Sequence, residues 1–144
     1  MINGLQARLG YKLNESVSTF DGVEKQIPLI PSYRILYNIS YTTINNNWIF
    51  DYTINSIGSS RIPENSNISE ENSKPFNLHN TNITRKFKNF DFYVGAENIL
   101  NYVQKNPIID GDNWSDNNSD FDASMIYAPI SGLSLYSGIR YKIN

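Results

Sequence analysis

Between Pro31 and Gly58 the chain alternates. Tyr33, Ile35, Tyr37, Ile39 and Tyr41 form one apolar row, and Trp48, Phe50, Tyr52 and Ile54 form a second. Arg34, Asn38, Ser40 and Thr42, then Asp51, Thr53 and Asn55, occupy the positions between, with Leu36 and Ile49 as apolar exceptions. Successive side chains of a strand point to opposite faces, so this period predicts two strands, each with one apolar and one polar face. Asn45-Asn46-Asn47 joins them as a short turn, because Asn tolerates left-handed backbone. The hairpin follows from the residues. What its apolar face touches does not: a soluble domain would turn it to a core, an outer-membrane barrel to lipid.

The rest of the chain repeats the pattern. In Ile2 to Asn14, Leu5, Ala7, Leu9, Tyr11 and Leu13 alternate with Gln6, Arg8, Gly10 and Lys12. Residues 15–30 lose the period, and Asp21-Gly22 and Pro28 punctuate a predicted loop. Residues 59–75 are polar and read as a second long loop. Phe76 to Phe87 is the weakest strand, because Leu78 and Ile83 have opposite parity; either a bulge shifts the register or the strand begins late. A short turn over residues 86–89 leads to Phe90–Ala96. Residues 98–131 are mostly irregular, and a last strand runs from Leu133 to Ile143. The expected fold is all-β: an antiparallel up-and-down meander of about six strands and no helix, forming one unit over residues 1–144.

The connections alternate long, short, long, short, long. Transmembrane barrels sort their loops this way, with short turns at one end and long loops at the other. Ten residues at about 3.3 Å rise, tilted about 45°, span roughly 23 Å, near the apolar band of about 25 Å in such barrels. Arg8, Lys12, Arg34, Asp51, Asp91, Glu97, Arg140 and Lys142 all fall on the polar parity, which makes them candidates to face a lumen. Tyr41 and Trp48 flank the Asn turn, with Tyr33 at the far strand end and Tyr141 on the last strand. These aromatics are candidates for a lipid-interface girdle. These features predict strands of a transmembrane β-barrel.

Composition excludes several classes. The net charge is −2, so there is no basic footprint for nucleic acid. There is no Cys, so no thiolate metal site is possible, and the single His, His79, has no motif context from which a Ser-His-Asp arrangement could be argued. No catalytic residues, metal or cofactor are expected, and the chain is not read as an enzyme. No run of about eighteen apolar residues exists, which excludes a spanning helix but not a barrel. Met1 leads straight into alternation, so no signal peptide is expected.

The last third resembles the C-terminal end of TonB-dependent outer-membrane receptors of the Bacteroidetes type. The matching pieces are Gly95-Ala96-Glu97-Asn98, Ile99-Leu100-Asn101-Tyr102, Asn106-Pro107-Ile108, Phe121-Asp122-Ala123-Ser124, Ala128-Pro129-Ile130, Tyr136 and Gly138-Ile139-Arg140-Tyr141. Pro31-Ser32-Tyr33-Arg34 before a strand fits less distinctively. The resemblance implies a barrel of about 22 strands, occluded by an N-terminal plug and energised through a periplasmic partner. Such a receptor imports a scarce ligand such as an iron siderophore, haem, cobalamin or a glycan. About six strands cannot enclose that lumen, so the resemblance implies an open curved sheet that is part of a larger transmembrane β-barrel, a C-terminal fragment of it without plug or signal and not transport-competent alone. The implied partners are outer-membrane lipid, the remainder of the barrel and its plug, the TonB complex and a small-molecule ligand; the implied location is the bacterial outer membrane. Barrels of this kind usually end on an aromatic residue, whereas here Asn144 follows Ile143.

The acidic stretch carrying Asp110, Asp112, Trp114 and Asp116 invites a calcium reading. However, counted from Asp116, Phe121 stands where the loop needs Gly and Tyr127 where it needs Glu. A solvated extracellular loop is expected, those four residues being its ligand-contact candidates, with Trp114 suited to stacking on a sugar or siderophore ring. For Glu97-Asn98 a polar cap ending the strand is preferred to a ligand contact. The reading from another class is a small soluble β-domain that binds carbohydrate through its aromatics, its apolar rows packed in a core.

Overall fold

The computed structural model describes residues 4–64, 71–109, 112, 115 and 121–143. Eight antiparallel strands form, β1 (Leu5–Leu13), β2 (Val17–Phe20), β3 (Val23–Gln26), β4 (Tyr33–Thr42), β5 (Trp48–Ile57), β6 (Phe76–Lys86), β7 (Phe90–Glu97) and β8 (Ser134–Tyr141). Six of them make one sheet in the order β1-β4-β5-β6-β7-β8, and β2 and β3 pair with each other. The sheet is an open meander: among the described residues, β1 pairs only with β4 and β8 only with β7.

The register converts the alternation into two continuous faces. One cross-strand row runs Ala7, Ile39, Tyr52, Thr81, Ala96, Leu135, and the next runs Leu5, Tyr41, Phe50, Ile83, Val94, Ser137. This is the apolar face. On the opposite face a row runs Gln6, Ser40, Asp51, Asn82, Gly95, Tyr136. No described residue covers the apolar face: Leu9 is 72% exposed, Ile39 52% and Ile139 67%. The buried apolar residues are Ile62, Phe76, Ala96, Met125 and Ala128. All but Ala96, which ends the apolar row on β7, lie off that face, so among the described residues most of the packing sits beside the sheet at the long-loop end.

Two sequence expectations need correction. Residues 15–30 are not simply a loop, because β2 and β3 form a hairpin there. Asp21 (φ 50°) and Gly22 (φ 80°) both adopt left-handed backbone at its tip, the conformation of the two-residue turn that matches strand twist. And β6 has neither a bulge nor a late start. It is the longest strand, with ten unbroken pairs to β5. Leu78 stands on the polar face opposite Asn55 and Ile83 on the apolar face opposite Phe50. Both parities are real, and the register does not shift.

The short turns close as local chemistry dictates. In the β4–β5 turn Asn46 has φ 57°, and the Asn45 carboxamide oxygen accepts from the Thr43 hydroxyl (2.7 Å) and the Asn47 amide (3.1 Å). In the β6–β7 turn the Phe87 amide donates to the Phe90 carbonyl (2.8 Å), and the two rings stack at 4.5 Å.

Between β7 and β8 two tyrosines lie over two glycines. Gly95 is directly opposite Tyr136, and Gly138 directly opposite Tyr93. A Cβ on Gly95 would fall 2.3 Å from the Tyr136 ring and 2.8 Å from the Thr81 carbonyl oxygen; one on Gly138 would meet only the Tyr93 ring, at 2.3 Å. A ring tip can swing aside and a backbone carbonyl cannot. Gly95→Ala is therefore expected to cost about 1–3 kcal/mol by overpacking, and Gly138→Ala less. Denaturant unfolding of the two variants checks the order.

Candidate functional site

The eight charged candidates on the polar face divide into separate groups. At the short-turn end, β7 places Asp91 opposite Arg140 of β8. Lys142 reaches the same carboxylate at 3.3 Å, and Arg140 stands 4.0 Å from its other oxygen. Asp91 is only 4% exposed, while both cations remain largely in solvent. This cluster fastens the ends of β7 and β8, since a buried carboxylate is tolerated where cations and hydrogen bonds meet it. At the long-loop end, Lys12 of β1 lies directly opposite Arg34 of β4, with Arg8 further along β1 opposite Asn38. Among the described residues, no carboxylate lies within salt-bridge distance of Arg8, Lys12 or Arg34. Asp51 stands mid-sheet between Ser40 and Asn82, and Glu97 pairs in register with Ser134. Neither joins the other charges.

The aromatic candidates Tyr41, Trp48 and Tyr141 gather at the short-turn end of the apolar face. Tyr41 and Trp48 both stack near Phe50, at 6.5 Å and 6.1 Å between ring centres. Arg85, which the ambiguous parity of β6 concealed, also stands on this face. Its guanidinium lies 4.8 Å from the Trp48 ring centre and 5.5 Å from that of Phe87. A cation on an aromatic face is partly compensated by the ring quadrupole. Phe90 pairs with Tyr141 and completes the band. Tyr33 begins β4 at the opposite end. His79 is also on the apolar face, where Tyr52 Oη meets its Nδ1 at 2.7 Å.

Of the loop candidates, Asp112 is exposed; Asp110, Trp114 and Asp116 lie outside the described residues. The long β7–β8 loop has its own polar skeleton. Asn98 ends β7 in left-handed backbone (φ 51°); its side chain accepts from the Tyr102 amide (2.9 Å) and donates to the Tyr102 carbonyl (2.7 Å). Gln104 is buried and donates to the Met125 carbonyl (2.7 Å), while its oxygen accepts from the amides of Tyr127 (2.9 Å) and Ala128 (3.0 Å). Tyr102 stacks on Phe76 at 4.9 Å. Burial, and secondarily the neighbouring Tyr127, raise the pKa of the Tyr102 hydroxyl.

A second cluster had no signal in the sequence, because its members come from two segments more than thirty residues apart. Arg61 lies over the Phe20 ring (5.2 Å), donates to the Gln26 carbonyl (3.2 Å) and pairs with Glu64 (2.9 Å), which also holds Lys25 (2.7 Å). The hairpin β2–β3 is thereby clipped to the β5–β6 loop, and the Leu29 amide donates to the Arg61 carbonyl beside it (2.8 Å). Lys25 and then Arg61 hold the Glu64 carboxyl below its ordinary pKa. A lowered folded pKa stabilises the clip above the ordinary glutamate range, and that contribution is lost as pH falls through the lowered value. Hydrogen-exchange protection of the Leu29 amide is expected to weaken modestly in acid, and Glu64→Gln to remove that pH dependence.

Among the described residues, no group of three or more His, Cys, Asp or Glu is placed to hold a metal ion. The chain matches no protein-family model, no curated protein and no solved structure.

Proposed function

We propose that this chain is the C-terminal part of the barrel of a TonB-dependent outer-membrane receptor, a wall segment of a ligand importer and not a transporter by itself. One observation carries the membrane half of this reading. Six register-aligned strands present an apolar face that nothing in the described chain covers. Apolar surface on that scale needs an apolar partner, and a bilayer supplies one that matches the strand length. The aromatic and Arg85 band at the short-turn end suits a headgroup boundary, where amphipathic rings and long cations concentrate. Two polar residues on the same face have local partners: His79 meets Tyr52, and Thr81 Oγ1 donates to the Asp51 carbonyl at 3.0 Å. The receptor half rests on the resemblance of residues 95–141.

Trp48 provides the test. With Trp114 replaced by Phe, the refolded chain is mixed with vesicles carrying bromine at graded acyl depths. Quenching of Trp48 is expected, strongest for bromine nearest the headgroups. Without lipid the chain is expected to aggregate through its apolar face and its unpaired β1 and β8 edges. Unquenched Trp48 in a monodisperse, cooperatively melting protein overturns the reading and favours a soluble β-domain. The coding DNA upstream tests the receptor half: a plug-like reading frame supports it, and an unrelated soluble domain in frame removes it.

A further inference from the structure

Lys12 and Arg34 are set directly opposite one another by the β1–β4 register. Like charges opposed across a ladder weaken it, and no carboxylate among the described residues offsets this pair. The same face does pair its charges elsewhere, at Asp91. Beside the two cations the next cross-strand row brings together Gly10, Leu36, Asn55 and Leu78. Gly10 contributes no side chain, and the row opens as a depression of about 550 Å³ that Ile57 helps to line. That size falls within the range of small-molecule sites, about 300–1,000 Å³.

We infer that this depression binds a small anionic molecule with an apolar body. Its carboxylate, sulfonate or phosphate lies between Lys12 and Arg34, its body rests on Leu36, Ile57 and Leu78, and Asn55 supplies an orienting hydrogen bond. Charge complementarity selects the anion, since the register brings two exposed cations together and no carboxylate among the described residues joins them. The apolar floor beside them selects against a bare inorganic ion. The site requires only the register of β1, β4, β5 and β6, so it stands apart from the membrane reading.

Naphthalene-2-sulfonate is a suitable probe, with neutral naphthalene-2-methanol and inorganic phosphate as its two halves. Probe anisotropy is titrated against the chain folded in dodecyl maltoside micelles, empty micelles giving the background. The sulfonate is expected to bind roughly tenfold more tightly than either half alone. Lys12→Gln with Arg34→Gln loses about tenfold. Gly10→Leu, which fills the floor and keeps both charges, loses as much. A Cβ on Gly10 meets only Leu36 Cβ, at an ordinary 3.7 Å, so this variant has room to fold, and circular dichroism checks that it does. Lys88→Gln with Lys105→Gln makes the same change in net charge away from the depression and leaves binding unchanged. Phosphate binding as tightly as the sulfonate, equal losses in the Lys88/Lys105 variant, or indifference to Gly10→Leu would each overturn the site, as would no binding. If the chain proves soluble without lipid, the titration is run in buffer, where the site is tested after the membrane reading has failed.

Discussion

Replacing Ile39 with Arg is expected to destabilise the lipid-inserted chain by about 2–4 kcal/mol, the cost of a lipid-facing cation near the midplane of a barrel wall. Ile39 sits in the central row of the apolar face, between Ala7 and Tyr52. It has no neighbouring carboxylate in that row. Ser40→Arg is the control one residue along. It stands on the polar face opposite Asp51, so its charge gains an acceptor and its cost should be near zero. Unfolding by guanidinium in vesicles measures both. The contrast has a definite sign because Ile39 is already half exposed in the described chain. In water an Arg at that position would be harmless, or would improve solubility. A costless Ile39→Arg with Trp48 unquenched would mean the face does not meet lipid.

Gln104→Leu is the second large effect, and it is local. The substitution keeps the volume and removes the carboxamide, leaving the Met125 carbonyl and the amides of Tyr127 and Ala128 without their partner. Each buried polar group left unpaired costs about 1–3 kcal/mol. Hydrogen exchange at Tyr127 and Ala128 is expected to accelerate, and Met125 to lose its burial, while amides in the middle of β5 and β6 keep their protection. Unchanged exchange at both loop amides would show that Gln104 does not hold the loop.

The sheet was legible because its strands are amphipathic. Where a strand has one apolar row, as in β1, β4 and β5, the period alone gives its position and faces. The hairpin β2–β3 has both faces largely exposed, so no apolar period marks it. Its only sign was Asp21-Gly22, which read as a loop break when it is also the strongest two-residue hairpin turn. β6 was ambiguous for a different reason. Its polar-face residue Leu78 borders the Lys12–Arg34 depression, so the strand is apolar on both sides at different heights, and parity cannot choose between them. The charged candidates were readable as one face, but not as clusters. Parity places Asp91, Arg140 and Lys142 together with Lys12 and Arg34. Only the register separates a neutralised group at one end from an unneutralised pair at the other. The Arg61 clip joins the β2–β3 hairpin to residues 61–64 of the β5–β6 loop, far apart in the chain, and leaves no local pattern.

The loop between β7 and β8 also bears on the order in which the chain assembles. Hairpins β4–β5 and β6–β7 close over tight turns and need only a short search, whereas β8 must return across residues 98–133. Entropy opposes such a closure, though the penalty grows only slowly with length. Here the loop's exit is tied to its entrance: the Leu133 amide donates to the Asn101 side chain at 2.9 Å, and the Gln104 amide to the Pro129 carbonyl at 2.8 Å. Once those bonds form, Ser134 is delivered beside Glu97, and β8 zips onto β7 as though the connection were a few residues long. The loop's own bonds therefore share with the β7–β8 ladder the entropy of closing residues 98–133, and β8 is held at its base as well as along its length.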